Sequence, residues 1–168
     1  VQKRYRVDEE RVAMRGFSMG GAGAWQLAVH YPDRWFAANP GAGFSETPEF
    51  LRVFQKETLK PKWWEKTLWQ WYDCPVWVNN LKGLPTVAYS GELDTQKQAA
   101  DVMAAAMESQ GMQLRHIIAP DTKHAIAPEA KEEIERRLTS LDQYAGADLG
   151  DSVDFTTCTL RYSKHSFV

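Results

Sequence analysis

The five residues Gly16-Phe17-Ser18-Met19-Gly20 constrain this chain more than any other part of it. Before them lies a short run, Arg11 to Phe17, that reads as a strand. After them a small-residue stretch, Met19 to Ala24, leads into Trp25-Gln26-Leu27-Ala28-Val29-His30, a helix halted by Pro32. A strand that turns into a helix across one serine needs a bend so sharp that the serine is strained. The positions two before and two after it are then expected to lack room for a Cβ, which makes both glycine. The bend lifts the hydroxyl above the sheet at the positive end of a helix, where charge developing on an attacked carbonyl oxygen is favoured. Ser18 is therefore the candidate nucleophile, and the backbone N–H of Met19 a candidate oxyanion donor. The bland alternative is a plain glycine-rich turn.

Elsewhere apolar runs alternate with amphipathic stretches, the pattern of an α/β fold in which a parallel sheet is flanked by helices. Trp35 to Ala38 reads as a strand that breaks at Asn39-Pro40-Gly41. Pro48, Pro61 and Pro75 chop the next segment, where the best helix lies near Trp63 to Tyr72. Leu84 to Gly91 reads as a buried strand. Ala99, Val102, Met103, Ala106 and Met107 then form one apolar stripe of a helix, with Gly111 where a C-terminal cap belongs. Leu114 to Ala119 is a further strand, closed by Pro120. The last helix starts near Pro128, carries Glu129, Glu132 and Glu133 toward its positive end, buries Ile134, Leu138 and Leu141, and stops at Gly146. Residues 147–168 then read as a linker and the start of a truncated β-rich segment, with Val153 to Tyr162 strand-like.

Composition narrows the function classes. Among 168 residues, 20 basic and 22 acidic side chains give a net charge of −2, which argues against nucleic acid and against a polybasic membrane surface. No run of about 18 apolar residues exists to span a bilayer. The start of the chain, Val1 to Arg6, has no apolar signal core, and the compartment is not legible. Cys74 and Cys158 lack zinc-type spacing, no histidine pair has ligand spacing, and neither a metal nor a cofactor is expected. Gly21-Ala22-Gly23 begins a dinucleotide fingerprint, but Gln26 stands where its third glycine belongs.

A serine hydroxyl is a weak nucleophile until a base takes its proton, so a histidine and an orienting carboxylate are required, each on a loop after a strand. Of four histidines, His30 ends a helix, His116 lies inside a strand and His165 follows the linker. His124 is on a loop, in Pro120-Asp121-Thr122-Lys123-His124, and is the candidate base. In Ser90-Gly91-Glu92-Leu93-Asp94 the candidate acid is Asp94, with Glu92 as its rival. A structural reading is that Asp94 or Thr95 merely caps the next helix, since Thr95 to Gln98 reads as a capping box. The order Ser18, Asp94, His124 is that of the α/β-hydrolases.

The stretches Tyr5 to Val12, Gly16 to Gly21, Tyr31-Pro32-Asp33-Arg34-Trp35-Phe36-Ala37-Ala38, Gly91 to Asp94 and His124 together resemble the prolyl-oligopeptidase-like and polyhydroxybutyrate-depolymerase-like serine esterases of that superfamily. The resemblance runs from about residue 5 to 142. It implies an α/β-hydrolase fold and hydrolysis of an ester or amide through an acyl-enzyme, with Ser18 as nucleophile, His124 as base and acid, and Asp94 orienting it. It also implies several strands and a second oxyanion donor upstream of the nucleophile strand, whereas 17 residues precede Ser18 here. The chain thus reads as residues 1–146 of a hydrolase domain that lacks its N-terminal strands, open to self-association or to pairing with a missing N-terminal half. Five of seven tryptophans, Trp63, Trp64, Trp69, Trp71 and Trp77, fall in 15 residues; they read either as packing or as a cap over the acyl pocket, with Trp63, Trp64 and Trp69 stacking on an aryl or sugar-ester group. The expected activity is cleavage of a small-molecule carboxylic ester. A peptidase and a non-catalytic interaction module are the competing readings.

Overall fold

The computed structural model describes residues 4–143 and 153–165. Four strands, β1 (Ala13–Phe17), β2 (Ala37–Gly41), β3 (Val87–Gly91) and β4 (Arg115–Ala119), form one sheet in the order β1-β2-β3-β4. All three pairings are parallel. Parallel strands need crossovers: α1 (Met19–His30) lies between β1 and β2, the long middle segment joins β2 to β3, and α4 (Lys97–Ser109) lies between β3 and β4, while α5 (Pro128–Asp142) follows β4. Each of the four expected strands and three expected main helices has a counterpart among the described residues.

Because strand side chains alternate in direction, neighbouring residues feed different cores. Ala38 and Ala88 face Trp25, Val29, Trp77 and Met103, under α1 and α4. Ala37 and Tyr89 face Ile134 and Leu138 of α5. Burial on both faces explains why β2 and β3 are buried at every position and carry apolar runs without alternation.

β2 does not break at Asn39-Pro40-Gly41 but runs through it. Toward β3, Ala38 N donates to Pro85 O (2.9 Å) and Ala42 N to Tyr89 O (2.8 Å), so the rung between them falls to Pro40, which has no N–H. The side-chain amide of Asn39 donates instead to Val87 O, at 2.7 Å.

The proline-rich middle contains a single turn, α2 (Thr47–Glu49), which continues as a π-helical turn at Phe50–Phe54, and then α3 (Trp63–Trp69). A 3₁₀ helix at Cys74–Leu81, not legible as a helix from its periodicity, buries Cys74, Trp77, Val78 and Leu81. The excursion is closed at its base, where Cys74 N donates to Ser45 O (2.9 Å).

The strand expected at Val153 to Tyr162 does not form. Its described residues are irregular and end in a 3₁₀ turn at Leu160–Tyr162. One side chain, not a neighbouring strand, takes up its backbone: Asn80 accepts from Thr156 N (2.7 Å) and donates to Thr156 O (2.9 Å) and Val29 O (2.8 Å). A single amide satisfies one residue of backbone, so no ladder follows. Tyr162 stacks on the buried ring of His30 with centroids 4.0 Å apart. The expected linker at residues 146–152 and the helix stop at Gly146 lie outside the described residues.

Candidate active site

β1 ends at Phe17 and α1 starts at Met19, leaving Ser18 alone to make the turn. It does so at φ 58° and ψ −119°, a conformation that costs a residue with a Cβ about 1–3 kcal/mol. Hydrogen bonds hold it there: Ser18 N donates to Gly41 O (2.9 Å), and Ser18 O accepts from Ala22 N (3.1 Å). A Cβ on Gly16 would stand 1.9 Å from Gly20 O, so the first glycine is obligatory. The second is not: a Cβ on Gly20 would meet nothing within 4 Å. It is the carbonyl of Gly20 that packs on Gly16. The N–H of Met19 opens the first turn of α1, where amides have no partner within the helix, and its side chain is exposed.

Asp94 stands on the loop after β3 and His124 on the loop after β4. His124 Nδ1 lies 2.8 Å from Asp94 Oδ2, and His124 Nε2 lies 2.8 Å from Ser18 Oγ. An ionised carboxylate can only accept a hydrogen bond, so Nδ1 carries the ring hydrogen and donates it to Asp94, which turns the Nε2 lone pair toward the serine hydroxyl. The Asp94 side chain is 3% exposed and that of His124 39%, so the carboxylate is shielded while the imidazole meets solvent. The ring also lies against Phe17, centroids 4.9 Å apart. Sequence reasoning did not single out that contact, whose only signal is the aromatic at the residue before the serine.

Asp94 does two things at once. Its Oδ1 accepts Gln96 N (2.9 Å) while Oδ2 faces His124. The capping box expected from Thr95 to Gln98 does not form, because α4 begins only at Lys97 with Gln96 as its N-cap. Glu92, the rival acid, is turned away: its Oε2 accepts Asp121 N at 3.0 Å and braces the histidine loop. The acid and histidine loops touch backbone to backbone at Gly91, where a Cβ would lie 2.3 Å from both Thr122 O and Lys123 O.

The remaining histidines lie elsewhere. His116 Nε2 is 3.0 Å from Ser90 Oγ, but Ser90 is fully buried. His30 is buried against Trp77 and Tyr162, and desolvation pushes its pKa down to about 4. The tryptophans divide. Trp77 is core, its Nε1 donating to Gln70 O at 2.8 Å, whereas Trp63, Trp64 and Trp71 are exposed and Trp69 is half-buried. Among the described residues no group of three histidine, cysteine or acidic side chains has the placement to hold a metal ion, and no helix is long and apolar enough to cross a membrane.

A sequence profile of the prolyl oligopeptidase family matches residues 1–149. No curated protein sequence matches the chain. Among solved structures, a puromycin-hydrolyzing peptidase of Mycobacterium tuberculosis superposes with a TM-score of 0.66 at 18% identity, over 84% of this chain and 23% of the peptidase. An acylaminoacyl peptidase of Pyrococcus horikoshii gives 0.64 at 16% identity, over 88% of this chain and 26% of its own. A ferulic acid esterase gives 0.61 at 19% identity, over 86% of this chain and 56% of the esterase. At these identities the likeness is one of fold, and the chain spans between about a quarter and just over half of each neighbour's length.

Proposed function

The chain belongs to the prolyl oligopeptidase family, and from that premise we propose that it is a serine hydrolase that cleaves a carboxylic ester through an acyl-enzyme on Ser18. The observation that carries this reading is the continuous hydrogen-bonded chain Asp94–His124–Ser18, with both links at 2.8 Å, at the N-terminus of α1. In the reaction, Ser18 Oγ attacks the substrate carbonyl and its proton passes to His124 Nε2. Asp94 stabilises the imidazolium and keeps Nδ1 protonated. The Met19 N–H donates to the oxyanion, aided by the positive end of α1. Collapse of the tetrahedral intermediate breaks the ester C–O bond, and His124 returns the proton to the departing alcohol. Water, deprotonated by His124, then attacks the acyl carbon, the bond from that carbon to Ser18 Oγ breaks, and His124 returns the proton to Ser18 as the acid leaves.

The exposed rings of Trp63 and Trp64 and the half-buried Trp69, on an excursion rooted at Ser45 and Cys74, support a role for them in stacking on the substrate's acyl or leaving group. The resemblance in fold to a ferulic acid esterase favours the ester reading. The family profile and the two peptidase neighbours favour a second reading, in which the leaving group is an amine.

Labelling with a fluorophosphonate tests the core of the proposal. Modification at Ser18, lost in Ser18→Ala, supports a hydrolase; a folded chain that takes no label favours the non-catalytic reading. Parallel series of p-nitrophenyl esters and p-nitroanilide peptides then separate esterase from peptidase by kcat/KM.

A further inference from the structure

The loop from Pro120 to Ala127 carries His124 but contains neither helix nor strand, so tethers have to set its geometry. On the N-terminal side these come from the acid loop: Glu92 N donates to Ala119 O (2.9 Å), Leu93 N to Thr122 O (2.9 Å), and Asp121 N to Glu92 Oε2 (3.0 Å). They stop at Thr122. Around the histidine the chain doubles back tightly, with Ala125 N donating to Lys123 O at 2.8 Å.

The tethers on the far side both come from Tyr89. Its hydroxyl donates to Ala125 O at 2.7 Å and accepts from Ala127 N at 3.0 Å. A phenol has one proton and two lone pairs, so one oxygen serves a carbonyl and an amide together. Tyr89 is 1% exposed and sits in β3 with partners on both sides, Gly41 in β2 and Ile117 in β4. Its ring is 6.3 Å from that of Phe17, which in turn lies against His124. A residue kept only for packing would need the ring. The hydroxyl is aimed at the one stretch of backbone that follows the imidazole.

We infer that Tyr89 is the positioning residue for His124: its buried phenol fixes the outgoing arm of the histidine loop, and so sets the imidazole between Asp94 and Ser18. The same strand that delivers the acid thereby also fixes the base. The catalytic meaning of this role rests on the hydrolase reading above, while the tether itself does not.

Tyr89→Phe keeps the buried ring and removes only the hydroxyl. Its comparator is Ser90→Ala, the adjacent residue of β3, which removes a buried hydrogen bond to His116 without touching the histidine loop. Two readouts are taken: the downfield NMR resonance of the His124 Nδ1 proton, which needs no turnover, and the rate of fluorophosphonate modification of Ser18. In Tyr89→Phe the resonance is expected to broaden into exchange, and modification to slow about 10- to 100-fold, the scale of a misplacement near 1 Å. Ester kcat falls with KM within about twofold. Ser90→Ala keeps both signals within about twofold of the parent. A Tyr89→Phe protein that retains the resonance and reacts within about threefold overturns the inference, as does equal loss in both variants, which is general weakening of the sheet. If Ser18 in the parent takes no label while Tyr89→Phe still broadens the resonance, the tether stands and the hydrolase reading falls.

Discussion

Asn39 fills the hydrogen-bonding place that Pro40 leaves empty. Its side-chain amide donates to Val87 O at 2.7 Å, between the rungs made by Ala38 N and Ala42 N. β2 is central, and Gly41 at its end accepts the N–H of Ser18, so the substitution of side chain for backbone supports the turn at Ser18 as well as the sheet. Asn39→Ala leaves a buried carbonyl without a donor and is expected to cost about 1–3 kcal/mol. Urea unfolding of the two proteins measures it, with an unchanged midpoint as the contrary result.

The two glycines around Ser18 are expected to behave differently. Gly16→Ala puts a methyl 1.9 Å from a backbone oxygen and should destabilise by about 3 kcal/mol, with loss of Ser18 labelling. Gly20→Ala meets nothing within 4 Å and lies within α1, where alanine is favoured over glycine by about 1 kcal/mol. Thermal melts of both variants check this, and a stable, fully labelled Gly16→Ala would contradict it.

Asp94→Asn should leave the fold intact, since an amide oxygen still accepts Gln96 N, but it favours the wrong tautomer of His124. A fall in kcat on the order of 10⁴-fold is expected. Glu92→Gln, which alters only the brace on Asp121, should stay within about tenfold. Steady-state ester kinetics on both variants decide which carboxylate matters.

Stability should fall as the solution is acidified through the range set by His30. Burial lowers its folded pKa from 6.5 to about 4, so between those values the unfolded chain binds the proton that the folded chain refuses. Unfolding is then favoured as pH drops, by at most about 1.4 kcal/mol per pH unit from this group. His30→Phe, which keeps a ring against Tyr162, should flatten that slope in denaturant titrations between pH 6.5 and 4.5. His116, also lowered by burial, leaves a residual slope.

Much of this architecture was readable in advance because local and global signals agree. Ser18, Asp94 and His124 each follow a strand whose apolar run ends in glycine or proline or at a turn, and parallel strands bring such loops to one edge. What escaped reading depends on partners far away in sequence. The passage of β2 through Pro40 requires a carbonyl at Val87, and the irregular path of Val153 to Tyr162 requires Asn80. Cys74–Leu81 has the burial of a core helix but the 3₁₀ period, which a search at 3.6 residues misses. Gly20 looks obligatory by symmetry with Gly16, and only the direction of the missing Cβ tells them apart.

The pinch at Gly91 ties the fates of two loops together. Their main chains are in contact, so lengthening either one, or placing a side chain at that point, drives the carboxylate and the imidazole apart. Redesign of this surface would therefore leave both loops untouched and graft diversity onto the aromatic excursion between Ser45 and Cys74, whose base is pinned by its own backbone hydrogen bond.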